Sequence, residues 1–122
     1  MSDAFITLSA IAHGRSGDKG NHANVAVIAY TQAGYDWLRR RLGPREVGDY
    51  FAALGATKVE RYEVPNVWGL NFVLYDVLAG GASRSLRIDT QGKTLALALL
   101  RMRLDRPEHY EAMIRPAARN QP

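Results

Sequence analysis

Three observations predict an α+β fold, a two-layer sandwich in which a roughly four-stranded, mainly antiparallel sheet carries helices on one face. Short apolar or alternating runs suited to strands occur at 5–12, 23–30, 58–64 and 83–88. Apolar residues at three- and four-residue spacing mark helices between and after them. The 122 residues, 47% of them hydrophobic, suffice for one core but not for two domains.

Phe5 to Ala12 alternates apolar and small polar residues, and Ala23 to Tyr30 is an apolar, β-rich run. The segment between them, His13 to His22, holds three glycines and three formal charges, so it reads as a loop with special backbone geometry. From Thr31 a helical pattern places Ala33, Trp37 and Leu38 on one face until Gly43-Pro44 ends or kinks it. Val47, Tyr50, Phe51 and Leu54 continue at helical spacing to Gly55, which assigns Trp37, Tyr50 and Phe51 to the core. Lys58 to Val64 alternates again, with Glu60, Tyr62 and Val64 on one face and Val59, Arg61 and Glu63 on the other, and Pro65-Asn66 closes it.

Leu70 to Leu78 fits one helix face and also suits a buried strand; the Ala79-Gly80-Gly81 terminator selects helix. Ser83 to Ile88 reads as a short strand, and Asp89 caps a final helix striped by Leu95, Leu99, Leu100 and Met102. One more turn fits after Pro107. The expected domain is residues 1–106, followed by a partly disordered tail over 107–122.

Composition excludes several classes of function. With no Cys there are neither disulfides nor thiolate metal sites, and His13, His22 and His109 show no paired ligand spacing, so no metal is expected. No apolar run reaches the ~18 residues of a membrane span, and the first residues lack the basic start of a signal peptide. The expectation is a cytoplasmic protein with no membrane partner. A pI near 9.7 and the Arg39-Arg40-Arg41 run raise nucleic-acid binding. A net charge of +4 is weak for tracking phosphates, however, and no strand pairs exposed aromatics, so no nucleic acid is expected.

Chemistry concentrates between His13 and His22. Gly14, Gly17 and Gly20 free backbone N–H groups to point inward, while Arg15 and Lys19 add positive charge, a combination that builds an anion-binding nest. Asp18 would pair with Lys19 or Arg15 in the empty site and serve as a base once a substrate displaced that partner. Ser16 is a donor for a phosphate or carbonyl oxygen. The plain alternative is a polar hairpin connection whose glycines serve the turn. Further along, Gly92-Lys93-Thr94 has the end of a phosphate-binding P-loop, but Arg87 stands where the first Gly belongs. What remains there is a single-anion site near Arg87 and Lys93.

Four motifs occur in one order: Arg15-Ser16-Gly17-Asp18-Lys19-Gly20-Asn21 with Ala23-Asn24-Val25, then Arg61-Tyr62-Glu63-Val64-Pro65-Asn66, Leu70-Asn71-Phe72-Val73-Leu74, and Ser85-Leu86-Arg87-Ile88-Asp89 with Gln91-Gly92-Lys93. Together they resemble the small C-terminal domain of the acyclic terpene utilisation protein AtuA, over residues 7–104. The resemblance implies a ferredoxin-like sandwich and a place in the breakdown of terpenoid or other branched acyl-CoA compounds. In that family the domain usually follows a much larger one, so a separately encoded large AtuA-type subunit is the implied partner.

If the matched motifs meet on one polar sheet edge, the substrate- and anion-binding residues are Arg15, Ser16, Gly17, Gly20, Asn21, Asn24, Arg61, Asn66, Arg84, Arg87 and Lys93. Asp18 and Lys19 are then the catalytic pair. The expected ligand is a CoA thioester or its carboxylate, with no cofactor. The leading reading is a small binding and interaction subunit of an acyl-CoA-processing complex, self-associating through sheet edges. The alternative is a self-contained, homo-oligomeric hydratase, isomerase or lyase acting on a CoA thioester.

Overall fold

The computed structural model describes residues 4–77 and 94–115. β2 (Ala12–Lys19) and β3 (His22–Ala29) form a hairpin over the two-residue turn Gly20-Asn21, in which Gly20 takes φ of 64°. A left-handed φ at the first turn position costs glycine little and matches the twist of the flanking strands. A second hairpin, β4 (Val59–Val64) and β5 (Gly69–Leu74), is joined by a 3-10 turn over Pro65–Val67. The two hairpins meet through β3 and β5, giving a fully antiparallel sheet in the order β2-β3-β5-β4.

Between the hairpins lie α1 (Gln32–Arg41) and α2 (Pro44–Tyr50), and α3 (Thr94–Leu100) comes later in the chain. β1 (Phe5–Thr7) and β6 (Arg103–Asp105) make a separate two-stranded sheet. With α1 and α2 counted as one helical segment, the main sheet and its helices among the described residues run β-β-α-β-β-α. Moving β2 from the front of this series to its end produces the β-α-β-β-α-β of ferredoxin-like folds, so the architecture is the ferredoxin-like α+β sandwich in cyclically permuted order.

Alternation builds the core. Ala23, Val25, Val27 and Ala29 are buried on β3, and Leu70, Phe72 and Leu74 on β5, under Tyr35, Trp37 and Leu38 of α1, Val47 of α2, and Leu95, Ala96 and Leu99 of α3. The helices are held at their ends by side chains of the sheet and its connections. Thr31 caps α1 by accepting from the Gly34 N–H at 3.0 Å. At the other end of α1, the Arg61 guanidinium donates to the carbonyls of Arg39 (2.7 Å) and Leu42 (3.0 Å), groups no helical N–H can reach. Ser16 of β2 accepts from the Ala96 N–H in the first turn of α3 at 3.1 Å.

The segment expected to be a loop, His13 to His22, is instead most of β2 and the turn after it. Its neighbours explain its composition. Gly14 is held small by the neighbouring strand, since a Cβ there would stand 3.0 Å from the Ala26 carbonyl of β3 while only touching Ala96 of α3 at 3.6 Å, and Ser16 lies against the first turn of α3. Arg15 and Asp18 are tolerated because β2 is an edge strand. The strand expected over 5–12 is broken, with β1 ending at Thr7, a 3-10 turn over Leu8–Ala10, and β2 starting at Ala12.

The helix expected from Leu70 is strand β5. Leu70 and Leu74 satisfy both periods, but burial of Phe72 between them and half-exposure of Asn71 and Val73 show a repeat of two. Tyr50, assigned to the core, is 40% exposed and donates its hydroxyl to the Ala98 carbonyl. Past residue 106, Met113 belongs to the core and a 3-10 turn covers Tyr110–Ala112. The expected strand at 83–88 and the Asp89 cap lie outside the described residues.

Phe72→Ala is expected to lower the unfolding free energy by about 3–5 kcal/mol, measured by urea denaturation. Gly14→Val should cost about 1–3 kcal/mol by crowding the Ala26 carbonyl of β3 and the Ala96 side chain of α3.

Candidate functional site

The helices cover one face of the main sheet, and the registers place a mixed polar and aromatic set on the other. Reading across β2, β3, β5 and β4, one row is Gly17, Asn24, Val73 and Glu60, and the next is Arg15, Ala26, Asn71 and Tyr62. Two shallow cavities lie on this face. One, of about 310 Å³, is lined by His22, Asn24, Asn71, Val73 and Tyr75. The other, of about 320 Å³, is lined by Arg15 with Ala26, Ile28, Val64, Val67, Gly69, Leu70 and Asn71. Asn71 belongs to both, and its side-chain oxygen accepts from the Asn24 amide at 3.3 Å. The two hollows therefore adjoin at a pair of half-buried amides.

The β4 side of the face is organised by Glu60. Its Oε1 accepts from the hydroxyls of Tyr62 and Tyr75, each at 2.6 Å, and its Oε2 lies 2.9 Å from the Lys58 ammonium. The Tyr62 bond first, then those from Tyr75 and Lys58, hold the Glu60 carboxyl down at about 2. The same contact pushes the Tyr62 hydroxyl up to about 12, because losing its proton would set a phenolate against the carboxylate. A carboxylate so occupied is an anchor for two tyrosine rings and a poor general base. At the far end, His22 Nδ1 accepts from the Asp76 N–H at 3.0 Å, which leaves Nε2 to carry the proton of a neutral ring, 4.7 Å from the Tyr75 ring centre.

The residues expected to share one polar edge are divided by the fold. Arg15, Gly17 and Asn24 belong to the open face. Ser16 lies beneath α3, and Arg61 is spent on the end of α1, on the opposite edge strand from β2. Asn66 sits in the exposed turn between β4 and β5, and Gly20 and Asn21 form the hairpin turn. Asp18 pairs in register with Ala23 and Lys19 with His22. Successive strand positions alternate between faces, so the backbone does not bring 18 and 19 to one point. Nor does a nest form, since residues 12–19 are extended in a ladder with β3 and their amides do not converge. Arg84, Arg87 and Lys93 lie outside the described residues.

The family model of the AtuA ferredoxin-like domain matches residues 6–105. The chain belongs to this family. It matches none of the curated proteins and none of the solved structures. In this AtuA ferredoxin-like domain, no helix of the described residues is long and apolar enough to cross a membrane, and no group of three or more acidic or histidine side chains among them could hold a metal ion.

Sequence reasoning missed Asn71, Tyr75 and the Glu60 cluster. The signal was present in the alternation of Lys58 to Val64, which puts Glu60 and Tyr62 on one face. Reading 70–78 as helix removed the strand that carries Asn71 to the same face and leads to Tyr75. Glu60 brings the hydroxyls of Tyr62, on β4, and Tyr75, just past the end of β5, to one carboxylate oxygen.

The folded Glu60 carboxyl titrates below its ordinary 4.5, so its contribution to stability is complete above that pH and lost as pH falls towards about 2. Glu60→Gln should therefore flatten the decline of Tm across this window, checked by thermal unfolding of both proteins in a series of acidic buffers. An equally steep decline in the variant would mean that the cluster does not form.

Proposed function

We propose that this AtuA ferredoxin-like domain is the binding subunit of a cytoplasmic assembly that processes terpenoid or branched acyl-CoA compounds, and that its open sheet face receives the acyl thioester or the free carboxylate. The observation that carries this reading is the pair of cavities joined at Asn71. Ile28, Val64 and Val67 give one of them an apolar wall for a branched chain, and Asn24 and Asn71 offer amide donors and acceptors beside it. Arg15 lines the apolar cavity and has no side-chain partner among the described residues, so its planar guanidinium is available to a carboxylate or a CoA phosphate. Anion binding in this reading belongs to Arg15, in place of a glycine loop.

Binding is favoured over turnover by the chain alone. Glu60 is held ionised by two hydroxyls and an ammonium, and positions 18 and 19 alternate across an edge strand. The catalytic groups would then come from a larger AtuA-type subunit, and β2 and β4 are the sheet edges available to it or to a second copy.

Isothermal titration of the chain with a branched ten-carbon acyl-CoA tests this. Arg15→Ala and Asn71→Ala should each weaken binding by about tenfold, roughly 1.4 kcal/mol, with little change in Tm. Undiminished binding in both variants, or none by the unaltered chain at about 1 mM ligand, would remove the open face from consideration.

A further inference from the structure

Between α1 and the end of β4, at the turn that joins β4 to β5, is a cleft of about 280 Å³. Three independent features meet there. Trp68 holds φ of 58°, a left-handed conformation in which the Cβ of a bulky residue is crowded by its own backbone. Its N–H donates to the Pro65 carbonyl at 3.2 Å and its carbonyl accepts from the Ala29 N–H at 2.9 Å, so the surrounding structure enforces the strain. Glycine would make this turn without crowding. Trp places there an indole that is 38% exposed and lines the cleft.

The second feature is Tyr35, which also lines the cleft and is 5% exposed. Its hydroxyl is the one buried side-chain polar atom without a hydrogen-bond partner among the described residues. Such groups are uncommon in folded proteins and ask for an explanation.

The third is a pair of opposite charges that do not meet. Asp36 and Arg39, three residues apart on α1, stand where such side chains ordinarily pair. Both line the cleft, yet neither makes an ion pair or side-chain hydrogen bond with the other or with any described residue. Glu63, the remaining charge on the wall, is already engaged by Arg61 at 3.1 Å. Among the described residues the cleft thus presents a carboxylate and a guanidinium without partners, beside an aromatic surface.

We infer that this cleft binds a small zwitterion, whose carboxylate is taken by Arg39, whose ammonium is taken by Asp36, and whose carbon skeleton lies against Trp68. A bidentate guanidinium contact suits the carboxylate. The indole offers its face to alkyl carbons and, electrostatically, to the ammonium beside them. The volume of about 280 Å³ admits a molecule the size of a free aliphatic amino acid with room to spare. The site is distinct from the open face, since Trp68 serves the cleft while its neighbour Val67 lines the acyl cavity.

The test is a titration of the ¹⁵N-labelled chain, followed through the indole N–H resonance of Trp68, assigned by its loss in Trp68→Phe. L-leucine is the probe, with N-acetyl-leucine, which keeps only the carboxylate, and leucinamide, which keeps only the ammonium. Leucine should shift the resonance saturably, and each single-charge analogue should bind at least about tenfold more weakly. Arg39→Gln and Asp36→Asn should each reduce leucine affinity by a similar factor while the rest of the spectrum stays unchanged. Binding of N-acetyl-leucine as tight as that of leucine would make this a plain anion site, and equal binding of leucinamide a plain cation site. Either result overturns the proposal, as does the absence of any shift with leucine. None of these outcomes bears on the acyl-CoA titration, whose variants lie on the other face.

Discussion

The pairing of β3 with β5 puts Val25 opposite Phe72 and Asn24 opposite Val73, and the remaining architecture follows from that register. It joins two hairpins that are each local in sequence, and it decides which residues lie under the helices. A slip of one residue would move Phe72 to the solvent and Asn71 into the core. The burial of Phe72 and Leu74, worth about 1.5–3 kcal/mol for each such side chain, therefore also holds Asn24 and Asn71 on the open face. Core and candidate site are two readings of one alternation.

Several polar side chains that looked available for chemistry turn out to be fastened to the ends of helices. Arg61 satisfies carbonyls that α1 leaves open, and Ser16 accepts an N–H that α3 leaves open. Both helix ends need a partner, and the sheet supplies it from an edge strand in each case. Among the described residues, Arg15 and the Asn24–Asn71 pair stay on the open face, beside a Glu60 already engaged by two hydroxyls and an ammonium.

Much of the architecture was legible in the sequence. The runs at 23–30 and 58–64, the break at Gly43-Pro44, and the placement of Leu95 and Leu99 depend on local periodicity and are seen in the structure. The errors share one origin, which is that tertiary contact reversed what local composition suggested. Gly14 and Ser16 look like loop residues until β3 and α3 are laid against them. Leu70 and Leu74 look helical because a separation of four belongs to both periods, and only the burial of Phe72 separates the two. Of the candidate site, Arg15 and Asn24 were named from the sequence. Their true companions Asn71 and Tyr75 come from a strand whose register no local signal reports. Resemblance to the family was carried by motifs that include Ser16, Arg61 and Phe72, so a motif can mark the scaffold as readily as the ligand site.

The cyclic order of the strands has a consequence for how this chain reaches its native state. β2 with β3, and β4 with β5, are neighbours in sequence and close over short turns, so each ribbon can zip early at small entropic cost. Joining β3 to β5 must wait until the segment containing α1 and α2 has folded back. The contact between Ser16 and Ala96 spans 80 residues and must come later still. For as long as α3 has not docked, the face of β2 that bears Gly14 and Ser16 is bare and the strand's outer edge is free, which is the interval in which a nascent chain is most exposed to pairing with the wrong neighbour.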